Sequence, residues 1–268
     1  MIVYKYLHPN RTGVLEDGLI RFTQSPALND PFETTPNVHR LEQSFREYAF
    51  RKIQRASYSS FFNYLRDRSK VGPTVKKHLD DFLTTNKRRY AILSLSTTNN
   101  NLLMWAHYCD SHRGFVLGFD STDTFFQTRR VNAFSTLAEV HYSDERPVMP
   151  APEQWDGSRE QILEMVGSED LAKLMFYTKS SDWAYEHELR IIANPEVADH
   201  HDRTSDGNHL YLYRFPPACL KEVIFGIRMP RDQREKITKL VKERYEGIKL
   251  FQAKLGAERF DLDIVQFE

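Results

Sequence analysis

The twelve residues Lys179–Arg190, KSSDWAYEHELR, decide how this chain is read, because two carboxylates one residue apart, Glu186 and Glu188, stand there beside Trp183, Tyr185 and Arg190. The run from Leu189 to Ala193 continues apolar. Side chains alternate between the faces of a strand, so a strand here sets Glu186, Glu188 and Arg190 on one face and His187, Leu189 and Ile191 on the other. One face is then charged and the other buried. A solvent-facing Glu/Arg ladder shows the same pattern, so spacing alone leaves open whether the charged face is a site or an exposed surface.

With 268 residues the chain has room for one large domain or two modest ones, and it can bury a core without cross-links. Apolar residues at 40% and aromatics at 13% exclude wholesale disorder and point to a soluble globular protein. Cys109 and Cys219 lie far apart with no CxxC pair, so neither a disulfide framework nor a cysteine-based zinc site is expected, and a reducing cytoplasm fits. The opening MIVYKYLHPN lacks a basic leader and a long apolar core, and no stretch approaches the roughly 18 apolar residues of a membrane span. No export and no membrane partner are expected. Lys plus Arg and Asp plus Glu both number 37, so net charge names no partner. Between Arg40 and Tyr90, however, thirteen basic residues stand against five acidic ones. Such an excess either attracts a nucleic-acid phosphate backbone or coats the outer faces of solvated helices.

Along the chain, Ile2–Leu7 and Leu19–Thr23 read as strands, and SPALNDPFE, Ser25–Glu33, reads as a polar, turn-rich, site-like loop. From Leu41 to about Arg68, Leu41, Phe45, Tyr48 and Ile53 keep one helical stripe apolar, and Pro73–Thr85 follows as another helix. Tyr90–Ser96 is a buried-looking strand carrying Ser94 and Ser96. Leu102–Asp120 reads as a short helix with Trp105, His107 and Tyr108, a turn at Gly114, and a strand Phe115–Phe119. Leu137–Tyr142 is a strand, Pro147–Gly157 a Pro-rich connection, and Ser168–Tyr177 a helix capped by Ser168. After Ala193, NPEVADHHDRTSDGNH reads as polar and structureless. Strands Leu210–Phe215 and Lys221–Ile227, a helix Arg231–Tyr245 and strands Lys249–Leu255 and Phe260–Phe267 complete the chain. Short strands interrupted by grouped helices imply an α+β fold, a single domain over 1–268 with a basic helical insertion at about 38–88.

Conventional chemical signatures are missing: there is no Gly-rich phosphate loop, HExxH, GxSxG or run of metal-spaced cysteines. Asp199, His200, His201, Asp202, Asp206 and His209 are ligand types without the rigid spacing that aims two imidazoles at one ion, so no metal site is expected. Cys109, between His107 and His112, reads as a buried, unreactive thiol rather than a nucleophile.

YKY (Tyr4–Tyr6), RFTQSPALNDPFE (Arg21–Glu33), LSLS with LLMWAHYCDSHRGFVLGFD (Leu93–Asp120), KxxxWxYExELR (Lys179–Arg190) and EVIFGIR (Glu222–Arg228) together resemble the bacterial domain-of-unknown-function family 2971. The resemblance spans nearly the whole chain and implies no activity. A second resemblance supplies one. A strand with a basic residue, a later strand with paired hydroxyls and a still later Glu-x-Glu look like the layout of mono-ADP-ribosyltransferases, whose core is a mixed, split β-sheet with a helical insertion.

That likeness implies NAD as substrate, with no tightly bound cofactor. Lys5 falls where the family places an Arg or His that hydrogen-bonds a ribose, a departure in residue type, with Tyr4 beside it. Ser94 or Ser96 takes the place of the hydroxyl that steadies the catalytic carboxylate, Glu188 that of the catalytic glutamate, and Glu186 that of the upstream residue that helps activate the acceptor. Trp105, His107 and Tyr108 are candidate walls for nicotinamide, or core residues; Arg21 and Asn29 are candidates for the diphosphate, with Arg190 nearby. The acceptor, protein or nucleic acid, is unspecified, and the basic segment 40–90 is one route to it. Two alternatives stay open. Asp30 or Glu33 with Asp182, Glu186 and Glu188 could hold Mg²⁺ for phosphodiester hydrolysis, beside Arg190 or Lys179. Alternatively, Glu186, Glu188 and Arg190 form a buried ion network in a non-catalytic nucleotide- or nucleic-acid-binding module.

Overall fold

Runs rich in β-branched and aromatic residues become strands here, punctuated by Gly, Pro and Asn. The computed structural model of the chain describes residues 1–44, 47, 81, 83–85, 87–127, 136–149, 169–205 and 207–267. Most of the expected helices at 41–68 and 73–85, and with them most of the basic insertion, lie outside the described residues, as do Asp206 and most of 147–157. In chain order the elements are β1 (Ile2–Leu7), α1 (Gly13–Asp17), β2 (Leu19–Gln24), β3 (Ala91–Ser96), α2 (Leu102–Tyr108), β4 (Phe115–Asp120), α3 (Thr124–Gln127), β5 (Ala138–Glu139) and β6 (His141–Ser143). They continue with α4 (Glu169–Phe176), β7 (Thr178–Ser180), β8 (Glu188–Ala193), β9 (His200–Arg203), β10 (His209–Arg214), β11 (Leu220–Phe225), α5 (Arg231–Arg244), β12 (Lys249–Leu255) and β13 (Leu262–Phe267).

The chain divides into two units, one of Met1–Thr23, Ala91–Val140 and Asp182–Glu268, the other of Gln24–Tyr90 and His141–Ser181. The first unit is built on a mixed sheet in which eleven strands are found among the described residues, with the path β13-β12-β11-β4-β1-β3-β2-β10-β9 and with β8 and β5 branching from β3. β11 and β12 run parallel, joined through α5; the other registered pairs of this sheet are antiparallel. Along its whole length β3 pairs with β8, from Ala91↔Ala193 to Ser96↔Glu188. A strand has two edges, so β1 and β2 must share the other one. β1 meets β3 at Tyr4↔Ser96, and the sheet forks there.

One face of this sheet packs Val3, Leu93, Leu95, Leu117, Leu189 and Ile191 with Ile237 and Val241 of α5. The opposite face packs Tyr6, Val116 and Ile224 with Met104, Trp105 and Cys109 of α2 and its end. Because Leu189 and Ile191 occupy the first face, alternation puts Glu188 and Arg190 on the α2 side. Asp110, Ser111 and His112, all left-handed at φ 47, 54 and 69, turn the chain from α2 into β4. Gly114 is required at the end of this turn, since a Cβ there would sit 2.0 Å from the Leu7 carbonyl oxygen.

Three expectations change. Lys179–Arg190 is not one strand: β7 gives way to a 3-10 turn, Ser181–Glu186, and β8 starts only at Glu188. Between them His187 adopts φ 44, so Glu186 does not lie on the strand face of Glu188. Leu137–Tyr142 is split, β5 pairing with β8 and β6 with β7. The polar stretch after Ala193 is also ordered: Pro195–Val197 forms a 3-10 turn and His200–Arg203 pairs with β10, which satisfies its backbone despite its polar side chains.

In the second unit β6 and β7 form a parallel pair, and Asn37 bridges Val148. Leu41, Met149, Leu171, Met175 and Phe176 are buried, with Tyr90 edge-on to Phe176 at 5.3 Å. Lys179 and Glu33 form an ion pair at 3.1 Å with both side chains almost wholly enclosed.

Candidate functional site

The end of β3 organises the site. Ser96 is wholly buried, and its hydroxyl donates to the Glu186 carbonyl at 2.7 Å. Next to it the Thr97 amide donates to the His187 carbonyl at 3.1 Å, and the Asn101 side-chain amide to the Tyr185 carbonyl at 2.9 Å. Three successive carbonyls of the 3-10 turn and its exit are therefore held by the segment that follows β3. Asn101 also caps α2, its Oδ1 accepting from the Leu103 and Met104 amides at 2.9 and 3.1 Å. The side chain of Glu186 is left to meet α2, where Tyr108 donates its hydroxyl to Glu186 Oε1 at 2.5 Å.

Glu188 opens β8 opposite Ser96, as Tyr4 stands opposite Ser96 from the other side, so Tyr4, Ser96 and Glu188 form one row across three neighbouring strands. Arg190 grips both Glu188 oxygens, Nε to Oε1 at 2.7 Å and Nη2 to Oε2 at 2.9 Å. Both residues are buried, 4% and 1% exposed, and a forked, two-bond pair fixes the carboxylate in one orientation. The Ser96 hydroxyl bonds the backbone of Glu186 instead of the Glu188 carboxylate, which differs from the role implied by resemblance.

At the fork Lys5 donates its amine to the Ser94 carbonyl at 2.8 Å. The residue is half-buried but its ammonium end is enclosed, and burial pushes its pKa down to about 8. Glu188 opposes that shift, Arg11 and Arg21 reinforce it, and Glu186 opposes it more weakly. Arg11 and Arg21 thus add positive charge around the Lys5 amine. Tyr4 turns its hydroxyl the other way, donating to Glu222 Oε2 at 3.4 Å; burial, then the Glu222 charge, raises it to about 12. Its ring lies across Gly118, where an added Cβ would come within 3.1 Å of it.

Lys5, Ser94, Ser96, Glu186, Glu188, Arg190, Arg21, Tyr4 and Tyr108 all belong to this one unit. Trp105 belongs to its core instead: it is wholly buried, edge-on to Tyr6 at 5.6 Å, and donates its indole N–H to the Asn99 carbonyl. It cannot wall a ligand. His107 is exposed, 6.4 Å from the Tyr185 ring, which in turn lies 6.1 Å from Trp183. Asn29 is exposed in the second unit, beside buried Asp30, whose Oδ1 accepts from the Phe32 amide. In that unit Glu33 is tied to Lys179. Among the described residues no group of three or more His, Cys, Asp and Glu side chains is arranged to hold a metal ion. Sequence reasoning missed Arg11 and Asn101. A basic residue directly after β1, in the PNR turn, was the available signal for the first; an Asn before an apolar helical run was the signal for the second.

Residues 104–191 match the family model described as Protein of unknown function (DUF2971). The DUF2971 match begins in α2 and ends in β8, so it contains Tyr108, Glu186, Glu188 and Arg190, while Lys5, Ser94 and Ser96 precede it. No curated protein and no solved structure matches the chain. Among the described residues no helix is long and apolar enough to cross a membrane.

Proposed function

We propose that the first unit binds NAD at the fork between β1 and β3, releases nicotinamide, and passes ADP-ribose to an acceptor or to water. The observation that carries this reading is the row Tyr4, Ser96, Glu188 with the Lys5 amine at the fork beside it. As the C–N bond between ribose and nicotinamide breaks, the electron pair leaves with nicotinamide and positive charge develops on the sugar. A carboxylate already fixed in place stabilises that charge without reorganising, and Glu188 in the grip of Arg190 is such a group. Glu186, bonded to Tyr108, is the carboxylate available to take a proton from the attacking acceptor. The positive charge of Lys5, Arg11 and Arg21 suits a diphosphate.

The test is NAD binding by calorimetry and nicotinamide release by wild type and Glu188→Gln, with urea denaturation of both. Wild type should bind and turn over NAD, and the variant should lose about 100- to 1000-fold in release while still binding. Equal release by the two proteins would reject the assignment of Glu188.

The burial of both partners in the Glu188–Arg190 pair favours a second reading, a purely structural ion network. Breaking such a pair costs about 3–5 kcal/mol, and then Glu188→Gln lowers stability in a protein that neither binds NAD nor releases nicotinamide.

A further inference from the structure

The two ends of the large sheet are defended differently. β9, at one end, offers His200, His201, Asp202 and Arg203, every one exposed and polar or charged, the ordinary means of keeping an edge from pairing with another chain. β13, at the other end, reads Leu262-Asp-Ile-Val-Gln-Phe267 and has no proline. It runs in unbroken register with β12 from Leu250↔Phe267 to Leu255↔Leu262, without a bulge, and its single charge, Asp263, lies opposite Lys254 of β12. Apolar side chains are exposed along and beside it: Val265 at 40%, Leu255 at 73% and Phe260 fully. Among the described residues no strand pairs with its outer edge.

We propose that this edge is a two-fold interface, with β13 pairing antiparallel with β13 of a second copy of the chain. A two-fold axis normal to the sheet keeps each face continuous, so residues of like parity meet. Centring the axis on Asp263 would set two carboxylates together, which is unfavourable. Centring it on Ile264 would set exposed Val265 against Asp263. Centred on Val265, the strand places Val265 on Val265, Ile264 on Gln266 and Asp263 on Phe267, so the exposed apolar side chain is covered by its own copy and no like charges meet.

The neighbouring helix fits the same partner. A groove beside Phe267 is lined by Arg231, Glu235, Lys239, Lys242 and Glu243 of α5, and the Arg234 guanidinium sits 5.2 Å from the Phe267 ring. With Arg234 the lining carries four cations and two carboxylates, and in the register centred on Val265 the second copy's Asp263, opposite Phe267, comes to this basic side.

The test uses the full chain. Sedimentation equilibrium should give a dimer for wild type and a monomer for Val265→Lys, which places two ammonium groups on the axis. Val265→Cys should form an intermolecular disulfide under mild oxidation, because opposed Cβ atoms lie about 4.5–5.5 Å apart, whereas Asp263→Cys should not, its two copies being about 13 Å apart along the strand. The native thiols Cys109 and Cys219 are buried and give no background. A monomeric wild type, or equal cross-linking at 263 and 265, overturns the proposal. If Val265→Lys fails to fold, the cysteine pair alone decides.

Discussion

Lys5 and Arg190 are both cations in one buried neighbourhood, and their circumstances are opposite. Arg190 has two charge-assisted bonds to a carboxylate. Lys5 bonds a backbone carbonyl, and burial, reinforced by Arg11 and Arg21 and opposed by Glu188, lowers its pKa from 10.5 to about 8. In the unfolded chain the lysine returns to its ordinary value, so between pH 8 and 10.5 the unfolded state binds the extra proton. Stability from this residue therefore rises with pH across that window and is flat below it. Urea midpoints of wild type and Lys5→Met from pH 7 to 10 should show wild type gaining on the variant above pH 8; a constant difference would mean that the amine is not enclosed. Glu188 and Arg190 shared a face in the sequence pattern because one strand period separates them. Arg11 entered no pattern, since its approach to Lys5 depends on how the chain turns after β1.

At the scale of elements, the 3-10 turn Ser181–Glu186 owes its place to hydrogen bonds from distant sequence, Ser96, Thr97 and Asn101. Local periodicity could not report them, which is why Lys179–Arg190 read as one strand. Asn101 serves two elements, capping α2 and holding the Tyr185 carbonyl. Asn101→Ala should cost about 0.5–2 kcal/mol for the lost cap alone, measured by urea denaturation. Asn101→Asp keeps the capping oxygen but loses the amide donor, and should recover most of that loss while leaving the turn freer, seen as faster amide exchange at Tyr185 and Glu186. Equal losses in the two variants would show that the cap contributes nothing. β9 was missed for a related reason: a polar strand at a sheet edge has no apolar face to announce it, and only β10 supplies its bonding partner.

At the scale of the whole molecule, the first unit is assembled from three separated segments, and Cys109 and Cys219 sit buried in it on two of its segments. Burial raises both thiols, Cys219 to about 12, so neither forms an appreciable thiolate at neutral pH. Both should resist a thiol reagent in the native protein and become reactive together on the same denaturant transition; early reaction of one would show that the unit does not unfold cooperatively. Most of the strands and the helix Arg231–Arg244 were legible because each buries one side, and burial imprints a period of apolar residues that needs no knowledge of the partner. The amino-acid order alone therefore determined most of the elements and the shared face of Glu188 and Arg190 in β8. Which strands neighbour one another, where β1 and β2 part along β3, and which carbonyls Ser96 and Asn101 hold were decided only by the folded chain. Hydrogen bonds between residues some ninety positions apart leave no periodic mark on the segments that make them.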